Sequence, residues 1–374
     1  MIPFARILDY GNKAPLPSSI ISTYVGSQSF YALSTDKVLY STGDNALGQL
    51  GLGDTETRNE WVRCDTGVDE VYTGMASYAV LIRKGNSIYL SGKNTLYTGN
   101  DNGTYTKFTL IIPDISTIYE YADCYIKDIQ VNDNSMMVLV GRISDSNYGA
   151  LYSQGKGVTL GQGNNTPAHY ALALCSTAPK TIMSISASAF NCFITTVNSN
   201  ILAVGNNSFK QVANTSTSTY NVYTQATLTS QNIHCGDYVV IAIRTDGIYI
   251  RGNTPNGTIS DFQRILSFST DLVTARNMVC SYNTRGVVVV IPPEVQGLQS
   301  GLYVLGQQFD VNGVVGVVNS FRFMYSEIFD KVQGGFNHYV YKNSTGFYIS
   351  GANLQFLPGK DDTAALRPMI LPTN

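Results

Sequence analysis

The stretch Val38–Asp54, reading VLYSTGDNALGQLGLGD, decides how the rest of the chain is read. Val38, Leu39 and Tyr40 are β-branched, apolar and aromatic, types that suit a pleated, half-buried surface. Gly43-Asp44-Asn45 then breaks the strand, because glycine reaches positive φ and Asp and Asn side chains bond their own backbone. Gly48, Gly51 and Gly53 follow, with Leu47, Leu50 and Leu52 between them. A helix loses roughly 1 kcal/mol for each glycine against alanine, so this run excludes one. The expectation is a compact loop whose leucines pack while its glycines let backbone approach backbone.

Weaker copies of the phrase run along the chain. Aligned on aromatic-x-x-Gly they are Tyr40–Gly43, Tyr89–Gly92, Tyr152–Gly155, Leu202–Gly205, Tyr249–Gly252, Tyr303–Gly306 and Tyr348–Gly351. Successive glycines lie 49, 63, 50, 47, 54 and 45 residues apart, a period at the long end of propeller repeats. An apolar strand precedes each copy: Phe30–Leu33, Tyr78–Ile82, Met136–Val140, Phe190–Ile194, Tyr238–Ile243, Val287–Ile291 and His338–Tyr341. Such near-continuous apolar runs suit strands covered on both faces. A third segment comes before those: Val68–Gly74, Ile126–Asn132, Ile182–Ala187, Asn232–Gly236, Asn277–Ser281 and Ile328–Gly334. Its seventh copy, Ile20–Gly26, stands at the front of the chain, while the last repeat lacks a strand to follow.

This count predicts an all-β, seven-bladed β-propeller over residues 20–374, closed by the N-terminal strand Ile20–Val25 completing the last blade. Closure of that kind removes two exposed sheet edges. Blades would then begin at the apolar strand, the first spanning 26–73 and the seventh joining 334–374 to 1–25. Residues 1–19 form an arm whose Ile2, Phe4, Ile7, Leu8 and Leu16 dock on a neighbour or pack beside the seventh blade. Leu96–Lys107, Arg142–Gly149 and residues 209–224 read as surface loops.

Composition narrows the function classes. Charged residues are 13%, the formal net charge is −2 and hydrophobic residues reach 44%, which excludes a disordered chain. No basic stripe marks a nucleic-acid partner. No apolar run reaches the length of a membrane span, and the N-terminus shows no export signal. Six widely spread cysteines without a CxxC pair are expected as free, mostly buried thiols.

The phrase Val38–Asp54, followed by Val71–Gly74, Tyr78–Leu81, Gly85 and Ile88–Gly92, resembles the repeat of the RCC1-like (regulator of chromosome condensation) propellers. The first blade matches at Gly43, Asn45, Gly48, Gln49, Leu50, Gly51 and Gly53, and Gly161-Gln162-Gly163 is a partial echo. The resemblance implies seven blades with a mixed closing blade. Its best-known members are exchange factors for a small GTPase and bind chromatin. The first nineteen residues here offer only Arg6 and Lys13 against Asp9, so a basic chromatin-binding tail is missing. No functional residue is carried across.

Gly48–Gly53 lacks the Lys-Ser/Thr of a phosphate loop, so a blade-packing role is expected. Metal binding at His169, His234 and His338 would need two or three of them to converge with a carboxylate or thiolate. His234-Cys235 is the nearest pairing, but Cys235 and Cys280 align with Thr73 and Val25 as small buried residues. Asp361-Asp362 reads as solvated, and Asp128 with Asp133 is the other acidic pair. Tyr105, Tyr148 and Tyr220 are the tyrosines expected in loops, where they could anchor contacts. No catalytic, cofactor-binding or metal residue is assigned.

The functional expectation is a non-enzymatic interaction module, a virion component of a tailed bacteriophage in a decoration, collar or tail-associated role. Its partners would be capsid, neck or tail proteins in multiple symmetric copies, without nucleic acid or membrane. It would be made in the bacterial host cytoplasm. Two alternatives stand beside it: a regulator or exchange factor for a small GTPase, and a glycan- or receptor-binding propeller.

Overall fold

A computed structural model of the chain describes residues 19–75, 77–157, 160–162, 168–215, 217–254, 257–282, 286–309, 315–335, 338–351, 367–369 and 371–372. Its strands form seven antiparallel sheets of four. Blade 1 runs Ile20–Val25, Ser29–Ser34, Val38–Gly43 and Arg58–Thr66, paired in that order. The inner strands of blades 2 to 7 are Glu70–Thr73, Cys124–Val131, Ile182–Ala187, Asn232–Cys235, Cys280–Tyr282 and Lys331–Gly334. The predicted segments 1–18 and Asp361-Asp362 lie outside the described residues.

One predicted feature is corrected. Ile20–Val25 does not complete the last blade; it pairs with Ser29–Ser34 as the inner strand of the first. The last blade is made of Lys331–Gly334, His338–Asn343, Gly346–Gly351 and Arg367–Pro368. Blade boundaries therefore shift by one strand throughout. The reason is visible in blade 5, where the inner strand follows the preceding one by Ser230-Gln231 and precedes the next by Gly236–Tyr238. Both connections are of hairpin length, so spacing alone leaves the partner undecided.

The ring closes by packing. Each of seven apolar clusters lies between two neighbouring blades; Tyr31, Leu33, Val80 and Ile82 join blades 1 and 2, for example. The cluster that seals blade 7 to blade 1 holds Val25 and Phe30 against Val340, Phe347, Ile349 and Met369, with Trp61 packed beside them. Polar contacts span the same seam: Val25 N–H donates to Gln333 Oε1 at 3.3 Å, and Lys342 Nζ donates to Ile21 O at 2.9 Å.

The repeated glycine has one structural cause. Gly43, Gly92, Gly155, Gly205 and Gly252 sit at φ between +86° and +121°, each opposite the first residue of the second strand. A Cβ at any of them would lie within 3.0 Å of the carbonyl of Gln28, Tyr78, Asn134, Phe190 or Tyr238. That carbonyl accepts the N–H of the residue after the glycine, as Asp44 to Gln28 at 3.0 Å. Close approach and left-handed backbone together admit only glycine.

Candidate functional site

The loop at Gly48–Gly53 is structural. Asn45 Oδ1 accepts the Leu50 N–H, Gln49 Oε1 accepts the Leu47 N–H, and Ser41 Oγ donates to Leu50 O. Gly53 N–H donates to Thr106 O at 2.7 Å, bridging to the outer strand of blade 2. The Phe108 ring on that strand lies where a Gly51 Cβ would be. The same device recurs: Gly99 against Tyr170, and Gly161 against Tyr223, all three glycines at positive φ. The blade 3 echo therefore aligns Leu160-Gly161 with Leu50-Gly51, since Ser153 Oγ donates to Leu160 O as Ser41 does to Leu50 O.

The other predicted candidates do not converge. Among the described residues no group of three His, Cys, Asp or Glu side chains could hold a metal. His338 is buried between blades, its ring tilted against Phe30 at 4.7 Å, and the side chain of His169 lies outside the described residues. His234 and Cys235 both line the central cavity, but the Cys235 thiol is taken up across the blade boundary, donating to Ser186 O. Burial pushes the Cys235 thiol up to about 12 and the His234 imidazole down to about 4. Cys280 is not the equivalent of Cys235: strand register aligns it with Ile233, both opposite the fourth residue of the second strand. Asp133 is spent capping the turn of blade 2, accepting from Tyr78 and Ala79 N–H and Ser77 Oγ.

Two of the three loop tyrosines are relocated to strands, and the third keeps its loop but is not exposed. Tyr105 lies in the outer strand Thr104–Ile112 and Tyr220 starts the outer strand Tyr220–Thr229. Tyr148 is buried, with its hydroxyl donating to Glu120 Oε2 at 3.3 Å. The segment Leu96–Lys107 is not a free loop either: it begins in the short helix Thr95–Thr98, with Leu96 fully buried.

Two features were missed by sequence reasoning. The first is an aromatic cluster on the face formed by the turns between inner and second strands. Phe190 and Tyr238, read from sequence as core strand residues, instead immediately precede the strands Asn191–Thr196 and Val239–Arg244. They are 40% and 47% exposed, with ring centroids 5.7 Å apart and an interplanar angle of 27°. Phe209 meets Tyr238 edge-on at 5.3 Å. Their turns are held: Asp237 Oδ1 accepts the Ala189 N–H across the blade boundary at 3.0 Å, and Gln211 Oε1 accepts the Phe209 N–H at 2.9 Å.

The second is a central cavity of about 410 Å³ lined by the inner strands of all seven blades. These strands alternate: Glu70-Val-Tyr-Thr73, Asp128-Ile-Gln-Val131, Ser184-Ile-Ser-Ala187, Asn232-Ile-His-Cys235 and Lys331-Val-Gln-Gly334. Val71, Ile129, Ile185, Ile233 and Val332 are buried between blades, so their neighbours in sequence face the lumen. That alternation was the available signal.

Comparisons with known proteins agree with the fold. Human WBSCR16 matches with a TM-score of 0.67 at 15% identity, over 87% of this chain and 88% of that one. Yeast RCC1 (Prp20), solved bound to Kap60, matches at 0.70 and 14%, over 98% and 91%. Prp20p from Saccharomyces cerevisiae, in a structure reported with its binding to Gsp1p and histones, matches at 0.60 and 14%, over 92% and 84%. The chain thus has the seven-bladed RCC1-like propeller fold. No family model and no curated protein sequence matches it.

Proposed function

We propose that this propeller is a non-enzymatic docking module that seats another protein on the face at blades 4 and 5. The observation that carries the reading is the exposed pair Phe190 and Tyr238, backed by the half-buried Phe209, on braced turns. Rigid aromatic rings supply large contact area at low entropic cost, the usual make-up of an interface hot spot. A closed ring holds such turns in fixed relation, so little ordering is left to oppose binding.

The finer role is that of a virion component of a tailed bacteriophage: a decoration, collar or tail-associated protein docked on capsid, neck or tail proteins in several symmetric copies. Its support is compositional, namely charged residues at 13%, 25 tyrosines and polar segments rich in Asn, Ser and Thr. Fold alone assigns no function, so the partners of Prp20 supply no argument for a GTPase or histone here.

The test is a double substitution, Phe190→Ser with Tyr238→Ser, measured for binding to purified particles and capsid or tail proteins. The expected result is about a 30-fold or greater loss of affinity, from roughly 2 kcal/mol of hot-spot energy, with an unchanged melting temperature. Undiminished particle binding would overturn the site. Accelerated nucleotide release from a small GTPase would overturn the virion role.

A further inference from the structure

The central cavity carries two opposite charges that do not meet. Asp128 of blade 3 and Lys331 of blade 7 both line it. Asp128 Oδ2 accepts from Gln130 Nε2 at 2.9 Å and its carboxylate is also held by the Ile129 N–H, but among the described residues no Lys or Arg forms an ion pair with it. The Lys331 ammonium lies 4.2 Å from the centre of the Tyr24 ring and reaches no carboxylate. The nearby Glu70 is already engaged, by the Tyr72 hydroxyl at 2.7 Å and Arg83 Nη2 at 3.4 Å. Asp128 and Lys331 are half-buried by exposed area because their ends face the lumen. They are nonetheless set deep enough for desolvation to act: the Asp128 carboxyl is pushed up to about 6, with the Glu70 charge adding to the effect, and burial lowers Lys331 although the Glu70 charge partly offsets it.

The fold does not require these charges. By strand register the same position holds Ser22, Ser184 and Asn232 in blades 1, 4 and 5. Each of those neutral residues fills the step without desolvating an ion. A partly buried charge without a counter-ion is unfavourable, and two of opposite sign across one cavity favour whatever bridges them.

We propose that the central cavity binds a small zwitterion, its ammonium group on Asp128 and its anionic group on Lys331, with the Tyr24 and Tyr72 rings beside it. The volume suits a ligand of amino-acid to dipeptide size. The site shares no residue with the aromatic face, so it stands whether or not that face docks a protein.

The test uses the full-length protein and a graded set of probes: glycine, β-alanine, γ-aminobutyrate and ε-aminocaproate, with hexylamine and hexanoate as one-ended controls. Binding is read by calorimetry and thermal unfolding. One chain length should bind best and raise the melting temperature by about 2 °C at ligand near ten times Kd. Each one-ended control should bind at least about tenfold more weakly, as should the best probe to Asp128→Asn or Lys331→Met. Without ligand, both variants should melt at or above the wild type, because each removes a partly desolvated charge that forms no ion pair. Absence of binding across the series, equal binding of a one-ended control, affinity unchanged in both variants, or a lowered melting temperature in both ligand-free variants would each overturn the proposal.

Discussion

Blades 1 and 4 build the same loop from different sequences. In blade 1 the loop is Asn45-Ala-Leu-Gly-Gln-Leu50; in blade 4 it is Asn207-Ser-Phe-Lys-Gln-Val212. Asn45 Oδ1 accepts the Leu50 N–H, and Asn207 Oδ1 accepts the Val212 N–H. Gln49 and Gln211 each accept the N–H two residues before them. Gly48 O accepts from Ser91 Oγ of blade 2, and Lys210 O accepts from Arg251 Nε of blade 5, at 2.5 Å. Lys210 takes φ +62° where Gly48 takes +78°. The hydrogen-bond scheme is therefore what the repeat preserves. The glycine ladder is one way to reach it.

The difference between the loops lies in what covers them. A Cβ at Gly48 would lie 2.8 Å from Thr106 Cα, so only glycine lets the outer strand of blade 2 close on blade 1. Blade 4 keeps a side chain there and presents Phe209 from the same loop toward Tyr238. In place of a small serine it buries Arg251 completely, its guanidinium 5.6 Å from the Phe262 ring centre. Nη1 and Nη2 of Arg251 have no hydrogen-bond partner among the described residues. Blade 1 is the tighter joint, and blade 4 gives up some of that tightness where it carries the exposed aromatic face.

The largest effect should come from the glycine both blades share. Gly43→Ala and Gly205→Ala each force a Cβ onto a carbonyl, and each should cost about 3 kcal/mol or more in denaturant unfolding. If Gly205 tolerated alanine while Gly43 did not, the two loops would not be equivalents. Asn45→Ala and Asn207→Ala come next. Each removes bonds to buried backbone, for about 2–3 kcal/mol, and a costless Asn207→Ala would mark the blade 4 scheme as incidental.

A smaller and opposite effect is expected at Lys210. Lys210→Gly relieves left-handed backbone and should stabilise by about 1 kcal/mol, whereas Gly48→Lys should destabilise by more than that. The smallest effect at neutral pH concerns the seam between blades 7 and 1. Burial pulls the His338 imidazole down to about 3, from an ordinary value near 6.5. The folded state thus binds its proton less readily than the unfolded state. The contribution is fully present above about pH 6.5 and is lost as pH falls from there toward the folded value. Melting curves of His338→Ser, which copies Ser29 and Ser135, should show a weaker fall between about pH 7 and pH 4 than the wild type. An equal fall would place the acid sensitivity elsewhere.

Much of the fold was legible because each blade repeats a steric necessity, the glycine beneath a carbonyl after an aromatic position. Closure was not legible, since in blades 2 and 5 the inner strand has hairpin-length connections on both sides. The outer strands were hidden by their exposure; Arg58–Thr66 alternates irregularly and carries four charged residues. The aromatic face was missed because Phe190 and Tyr238 adjoin apolar runs and read as their first residues, yet the register begins one residue later. The charged lumen was visible in principle, as polar residues alternating with Val or Ile in the inner strands of blades 2, 3, 4, 5 and 7.

If the ring works as a docked component, it should be found bound in a larger assembly. The direct test is sedimentation of the native source material, with mass spectrometry of the fractions. Co-migration with a large particle at fixed stoichiometry to capsid or tail proteins is the predicted result. A protein that sediments alone as a free monomer, with no particle-bound fraction, would contradict it.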